Sequence, residues 1–360
     1  MNTIHFTRGI PADESYPLEQ LASCAEAVMR GPNALEAMKY GTGFGFAPLR
    51  EILAAQNNTK LENVIVGNGS LGFIDLMGVS VLKTGDTVFV ESPTYDRVLT
   101  LFKRHGINVV GIPLEPDGIN LEALTKALEL HKPKIVYLIA DFQNPSGATM
   151  SLLKRHQVLE LAEEHDFLVL EDAPYRPLRY RGAQIASLRE LNPERVMQMS
   201  SYTKQISPGV RVGSLVGPAK PLAQLAKAAN DTYISAAFLG QATVAEFLNR
   251  KLLEPQLERL RNLYRPRLEA IIAALETHLP NASFIKPDGG FFLSVTLPEG
   301  SSFSALMERG KEVNLTFTDG RGFYPVTSDG ERFLRLPFCA LTTEEISEGI
   351  KRLSSIVQIS

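Results

Sequence analysis

The sequence predicts an α/β protein in which a mostly parallel sheet, covered by helices on both faces, is joined to a smaller α+β domain. Three observations lead to this. From residue 60 to 217, short β-branched runs alternate with helical stretches. After about residue 218 the alternation gives way to successive helices, and from Ser283 onward short strands and helices mix. Strand–helix alternation at this spacing places crossover helices on both faces of a parallel sheet. At 360 residues the chain has room for two domains of roughly 100–200 residues each.

In chain order, the first helix is expected over Leu18–Arg30, with Pro17 at its start and Gly31 as its stop. It is expected to dock on the C-terminal lobe. Buried strands are expected at Val64-Ile65-Val66, Thr87-Val88-Phe89-Val90, Asn108-Val109-Val110, Ile135–Ile139, Phe167–Leu170 and Arg195–Met199. Helices are expected at Leu71–Leu82, Tyr95–His105, Leu121–Leu130 and Leu152–His165. Gly85-Asp86 and Pro116-Asp117-Gly118 supply turn chemistry between them. Residues 219–278 form successive helices punctuated by Pro255 and Pro266 and closed by Pro280-Asn281. The C-terminal lobe then runs through Ser283–Ile285, Phe291–Thr296, Phe303–Arg309, Phe333–Leu336 and Thr342–Leu353.

Lys plus Arg number 37 and Asp plus Glu 40, a net charge of −3, so the basic surplus of a nucleic-acid binder is absent. With Cys24 and Cys339 as its two cysteines the chain has no disulfide scaffold. Its apolar runs stop well short of the ~20 residues a membrane span needs. The first residues lack the basic and apolar stretches of a signal peptide, so a cytoplasmic protein is expected. Six scattered histidines make no metal spacing, so no metal is expected, and no G-x-S-x-G elbow appears.

Gly67-Asn68-Gly69-Ser70-Leu71-Gly72 follows a strand and opens a helix, the context of a dinucleotide fingerprint, and Glu91 ends the next strand where a ribose-binding acid would sit. The physics is more general. Glycines let backbone approach an anion, and a helix N-terminus binds any phosphate. A tight turn without a ligand is the plainest alternative.

Ser200-Ser201-Tyr202-Thr203-Lys204 decides between these readings, together with Pro208-Gly209 and Arg211 downstream. A Schiff-base lysine needs a depressed pKa, which a nearby cation helps supply. Hydroxyls and a guanidinium suit a phosphate. The segment resembles the lysine loop of fold-type I pyridoxal-phosphate enzymes, specifically class I/II aminotransferases. The likeness is strongest to the branch with 2-aminoadipate and kynurenine aminotransferases and the catalytic domains of MocR-type regulators. It runs from Gly9-Ile10-Pro11 to the last helix.

The resemblance implies a fold-type I PLP-transferase, with a seven-stranded, mostly parallel sheet in a large cofactor-binding domain at 35–245. Residues 1–34 and 246–360 would make the small domain. By the same resemblance, Lys204 matches the lysine that forms the internal aldimine and then shuttles the proton. Ser201, Thr203 and Arg211 match phosphate ligands, and Ser70, Leu71 and Gly72 match the helix start that cradles the phosphate. The family usually carries Gln at the place of Leu71. Asp172, ending a strand, matches the aspartate that pairs with the pyridine nitrogen. Its neighbour Glu171 is discounted because strand alternation turns it to the opposite face. Asn144 and Tyr175 match ligands of the phenolic oxygen, Asn144 also touching the substrate carboxylate. Tyr95 matches the aromatic stacked on the ring. Arg335, alternating with apolar neighbours, matches the arginine that forks onto the substrate α-carboxylate. Gly289-Gly290-Phe291-Phe292 matches a glycine pair opening a core strand. Tyr40 matches a tyrosine reaching the partner subunit's phosphate, which implies a homodimer with sites at its interface.

The implied reaction is transamination between an L-amino acid and a 2-oxo acid. A C–S lyase, decarboxylase or cyclising enzyme on the same scaffold is the rival outcome. Gly9 is expected at the substrate. Arg8, where relatives often have a small residue, is expected to favour an acidic side chain. A DNA-binding domain has no room before Tyr40.

Overall fold

A computed structural model of the chain describes residues 2–7, 9–301 and 303–357; Arg8 lies outside them. The central sheet has eight strands, in the order Val64–Gly67, Gly213–Val216, Val196–Ser201, Leu168–Asp172, Pro133–Leu138, Thr87–Ser92, Asn108–Glu115 and Gly118–Ile119. The first seven are the expected sheet. The eighth is a two-residue strand where the sequence suggested a turn: Pro116-Asp117 turns the chain and Gly118 pairs back on Glu115. Within the seven, Gly213–Val216 alone runs against the rest, antiparallel to both its neighbours.

Alternation splits the sheet into two faces. Val88, Val90, Ile135, Tyr137, Ile139, Leu170 and Met197 pack beneath the helices Leu71–Ser80, Asp96–Arg104 and Ala219–Tyr233. Phe89, Val136, Leu138, Val169 and Val196 pack on the other side, against Leu121–Leu130 and Leu152–Glu164. Both faces are apolar because both are covered, as a parallel sheet requires. The expected helices match these elements to within a turn, and Leu121–Leu130 matches at both ends.

The helix Leu18–Arg30 forms over the expected residues, but it docks elsewhere than expected. Cys24 and Val28 join a core with Phe46, Leu49, Phe238 and Phe247, so the helix lies on Phe238–Asn249 rather than on the C-terminal lobe. Pro266 does not break the long helix Leu253–His278, which runs through it. The flanking Tyr264, Arg267 and Leu268 are buried, and that packing outweighs the lost hydrogen bond.

The C-terminal lobe is built on the antiparallel strands Ser283–Phe284, Phe292–Thr296 and Phe333–Pro337. The N-terminal strand Ile4–Phe6 reaches across to pair in parallel with Leu315–Phe317. Phe6 is therefore part of the lobe's core, with Phe291, Leu334 and Leu336.

Behind the sheet's carboxyl edge, the wholly buried Arg155 bonds the backbone oxygens of Ala140, Met150 and Ala186 and forks onto Asp141 at 2.9 and 3.3 Å. It thus ties down both ends of the loop that follows Pro133–Leu138. Replacing Arg155 with Met is expected to cost about 3–5 kcal/mol, by leaving a buried carboxylate and three carbonyls short of a donor. Urea unfolding with an unchanged midpoint would show that Arg155 does not hold this loop.

Candidate active site

Six strands of the sheet end at one edge, and the loops beyond five of them meet the C-terminal lobe around a cavity of about 460 Å³. Ligands of open α/β sheets sit at this edge. Gly9, Ser70, Leu71, Tyr95, Asn144, Asp172, Tyr175, Ser201, Thr203, Lys204, Arg211 and Arg335 all line the cavity. Thus twelve of the residues singled out in the sequence converge, though they come from seven separate stretches of chain.

Asp172 is the last residue of its strand and is buried. Tyr137, on the neighbouring strand and the same face, donates its hydroxyl to Asp172 Oδ2 at 2.7 Å. Oδ1 is buried with no partner among the described residues. Burial pushes this carboxyl up to about 7, and the Tyr137 hydrogen bond draws it partly back. Glu171 points the other way, as alternation requires, and accepts from Leu188 N and Arg189 N.

Lys204 lies in the loop after Val196–Ser201. Its Nζ donates to Gly9 O at 2.5 Å and sits 5.5 Å from the centre of the Phe291 ring. Burial, with Arg335 as a secondary cause, lowers the amine from 10.5 to about 8. The cation that assists is therefore Arg335, not Arg211 as the sequence spacing suggested.

The loop returns through Arg211, held in the left-handed region at φ 50°. Arg211 Nη2 donates to Asn68 O at 3.2 Å, across the turn that opens helix Leu71–Ser80. Gly69, at φ +87°, allows this approach, since a Cβ there would lie 2.5 Å from Arg211 Nη2. A Cβ on Gly213 would lie 2.3 Å from Ser70 N. Ser70 makes no side-chain cap to the helix it precedes. Gly72 does not line the cavity, and a Cβ on it would meet nothing within 4 Å. Gly69 is the glycine that the close approach of Arg211 requires.

From the C-terminal lobe, Arg335 lies between the rings of Phe292 and Phe323, at 4.8 and 4.6 Å. Its Nη1 donates to Asn144 Oδ1 at 3.2 Å and its Nη2 to Thr7 O at 2.6 Å. Its buried Nε has no partner. Cys339 Sγ donates to Ile10 O at 3.1 Å. Thr7, Gly9 and Ile10 thus lie along the cavity, their backbone oxygens bonded by Arg335, Lys204 and Cys339. Tyr175 packs edge-on against Phe292, and burial raises its hydroxyl well above the ordinary tyrosine value.

Thr7, Ile10, Asp96, Arg97, Ile139, Pro174, Met199, Phe292 and Thr318 also line the cavity but were not singled out as site residues; nor was Tyr137. The same-face alternation of Ile135, Tyr137 and Ile139 was a usable signal for Tyr137. The others are brought in by tertiary contact and had none. Tyr40 stands outside the cavity, 82% exposed in the single chain. Glu91 does not serve the Gly67–Gly72 turn: its carboxylate accepts from Ile139 N and Gln143, which removes the dinucleotide reading.

These groups fit pyridoxal phosphate. The buried, unpartnered Asp172 Oδ1 suits a protonated ring nitrogen. The glycine cradle beside Arg211 suits a phosphate, and the depressed Lys204 amine suits an aldehyde.

Comparison with known proteins agrees. The model of the family "Aminotransferase class I and II" matches residues 4–353. A 2-aminoadipate transaminase of Thermus thermophilus is 34% identical over 97% of this chain and 89% of its own length. Aromatic-amino-acid aminotransferase 1 of Thermococcus litoralis is 32% identical over 99% of this chain and 88% of its own length. Among solved structures, the alpha-aminoadipate aminotransferase of Thermus thermophilus, complexed with N-(5'-phosphopyridoxyl)-L-leucine, superposes with a TM-score of 0.92 at 32% identity, covering 99% of this chain and 92% of that one. Fold and site define a fold-type I pyridoxal-phosphate enzyme. The chain belongs to the aminotransferase class I and II family and is a pyridoxal-phosphate-dependent transaminase.

Because burial disfavours its ammonium form, Lys204 in the cofactor-stripped protein should react with an aldehyde reagent with a midpoint near pH 8. A midpoint near the ordinary lysine value of 10.5 would show that the cavity does not depress the amine.

Proposed function

We propose that the cavity moves the amino group of an L-amino acid to a 2-oxo acid in two half-reactions, with Lys204 as the group that carries the proton. The observation that carries this reading is the meeting, in the lining of one cavity, of the depressed Lys204 amine, the Asp172 carboxylate with its unpartnered buried oxygen, and Arg335, whose buried Nε has no partner among the described residues. Pyridoxal phosphate, when bound, supplies a protonated ring that accepts the electron pair left at the substrate Cα.

The residues divide the rest. Asp172 keeps the ring nitrogen protonated, and the positive ring restores that carboxylate's charge. Backbone at Ser70 and Leu71 holds the phosphate, with Ser201, Thr203 and Arg211. Tyr95 covers one ring face, and Tyr175 and Asn144 bond the phenolic oxygen. Arg335 forks onto the substrate α-carboxylate beside Asn144, directing the Cα–H bond toward Lys204. Lys204 Nζ takes that proton and returns it as general acid, a task suited to an amine near pH 8. The domain proposed for 35–245 thus presents the cofactor groups, and the C-terminal lobe presents Arg335.

We also propose a homodimer. Leu18, Leu35, Met38 and Tyr40 leave a run of large apolar side chains exposed in the single chain. Pairing through it would bring Tyr40 to the partner's site. No helix among the described residues is long and apolar enough to cross a membrane. Free, buried Cys24 and Cys339 suit the reducing cytoplasm we propose for the protein.

The protein loaded with pyridoxal phosphate should show a long-wavelength band. L-Glutamate should move that band to shorter wavelength as 2-oxoglutarate is released, and Lys204→Ala should abolish the change. Release of a fragmented or decarboxylated product instead would replace transamination with lyase chemistry. Tyr137→Phe removes the one donor to Asp172 and should weaken pyridoxal phosphate about tenfold by absorbance titration, ~1.4 kcal/mol. An unchanged dissociation constant would remove Tyr137 from the ring-nitrogen site.

A further inference from the structure

Glu91 is a wholly buried acid with no part in the chemistry proposed above. It is the last residue but one of strand Thr87–Ser92, four residues before Tyr95. Its Oε2 accepts Ile139 N at 3.0 Å and Gln143 Nε2 at 3.1 Å. Gln143 is itself fully engaged. Its Nε2 also donates to Pro93 O at 2.8 Å, and its Oε1 accepts Ser146 N at 2.9 Å and Ser146 Oγ at 2.6 Å. Its backbone closes the turn, with Gly147 N donating to Gln143 O at 2.6 Å and Gln143 N donating to Ala148 O at 2.8 Å. Two loops meet at this one amide. Residues 92–95 carry Tyr95, and residues 143–148 carry Asn144, the partner of Arg335.

We propose that Glu91 is a positioning residue of the transamination site. Acting through Gln143, it holds the Tyr95 loop and the Asn144 loop at a fixed separation across the cofactor and substrate positions. The role rests on the function proposed above. Every polar atom of Gln143 is committed, so removing the Glu91 oxygen leaves Ile139 N without its acceptor and loosens Gln143, which can turn only by breaking its bonds to Pro93 and Ser146. Ile139 itself lines the cavity, so the bracket bears on the site at three points.

Two charge states are relevant. Burial, with the Asp172 charge as a lesser cause, pushes Glu91 up to about 8. Near neutral pH it is therefore mainly an uncharged acid, offering one carbonyl-like oxygen to both donors. The titratable groups that bear on it are Asp172 and Tyr137. Bracket and charge make opposite demands on substitution. A bracket needs an acceptor oxygen at Oε2, which glutamine supplies and leucine does not. A charge needs a carboxylate, which neither supplies.

The test compares wild type, Glu91→Gln and Glu91→Leu as pyridoxal-phosphate-loaded full-length proteins. The measurements are kcat and KM for the amino donor, the pH midpoint of the long-wavelength band, and the thermal midpoint. Glu91→Gln should stay within about twofold of wild type in kcat and leave the band midpoint in place. Glu91→Leu should lose at least tenfold in kcat, raise KM and displace the band midpoint, because Asn144 and Tyr95 no longer sit together. Equal losses in both variants would assign the effect to charge and overturn the bracket. A Glu91→Leu protein that melts earlier but keeps its kcat, KM and band midpoint would reduce Glu91 to a packing role and overturn it as well. A wild-type protein with no cofactor band would fail the functional reading itself, which is told apart from these outcomes before any variant is made.

Discussion

A carboxylate taken out of water must find compensation, and the loops around this cavity follow from how Asp172 finds it. One oxygen meets the Tyr137 hydroxyl, and the other is buried at the cavity wall with no partner among the described residues. The cost of burying an unpaired charge appears as a pKa raised to about 7, well above the ordinary 3.8. A cationic ring nitrogen reverses that cost. Affinity for such a ligand is thus built into the unsatisfied strand end, and the groups that read the rest of the ligand are arranged at fixed places around it.

The arrangement depends on two bodies meeting. The sheet edge brings the lysine, the aspartate and the phosphate cradle. The C-terminal lobe brings Arg335, whose guanidinium sits against two phenylalanine rings and is bonded to Asn144 and Thr7 O. Those contacts place the guanidinium before any carboxylate arrives, which lowers the entropy lost on binding. Thr7 and Ile10 are bonded by Arg335 and Cys339 of the lobe, and Gly9 by Lys204 of the sheet's loop, so these three residues join the two bodies.

How much of this could be read beforehand varies with the range of the interaction. Alternation and capping are local, so the strand cores and the helices Leu18–Arg30 and Leu121–Leu130 were legible. Lys204, Arg211 and the hydroxyls between strand and turn were legible because one loop carries them. Where Leu18–Arg30 docks was not legible: its apolar stripe says that it packs, not on what. Tyr137 meets Asp172 from 35 residues away, and Thr318 meets Thr7 from 311 away. Alternation shows which sheet face Tyr137 takes, but neither local segment marks the partner it meets there.

The strand Gly213–Val216 runs against its neighbours, and this has a dimensional consequence. Most helices of this sheet link strands by crossovers, but here Val196–Ser201 turns back directly, with Ser201 opposite Gly213. Lys204 and Arg211 therefore hang from a single hairpin whose stem is clamped on both sides by the sheet. The hairpin works as a calliper. Its two jaws, an amine and a guanidinium, are set by backbone pairing rather than by the angle between domains. A molecule that must touch both is gauged for length by the hairpin alone, whatever the lobe beside it does.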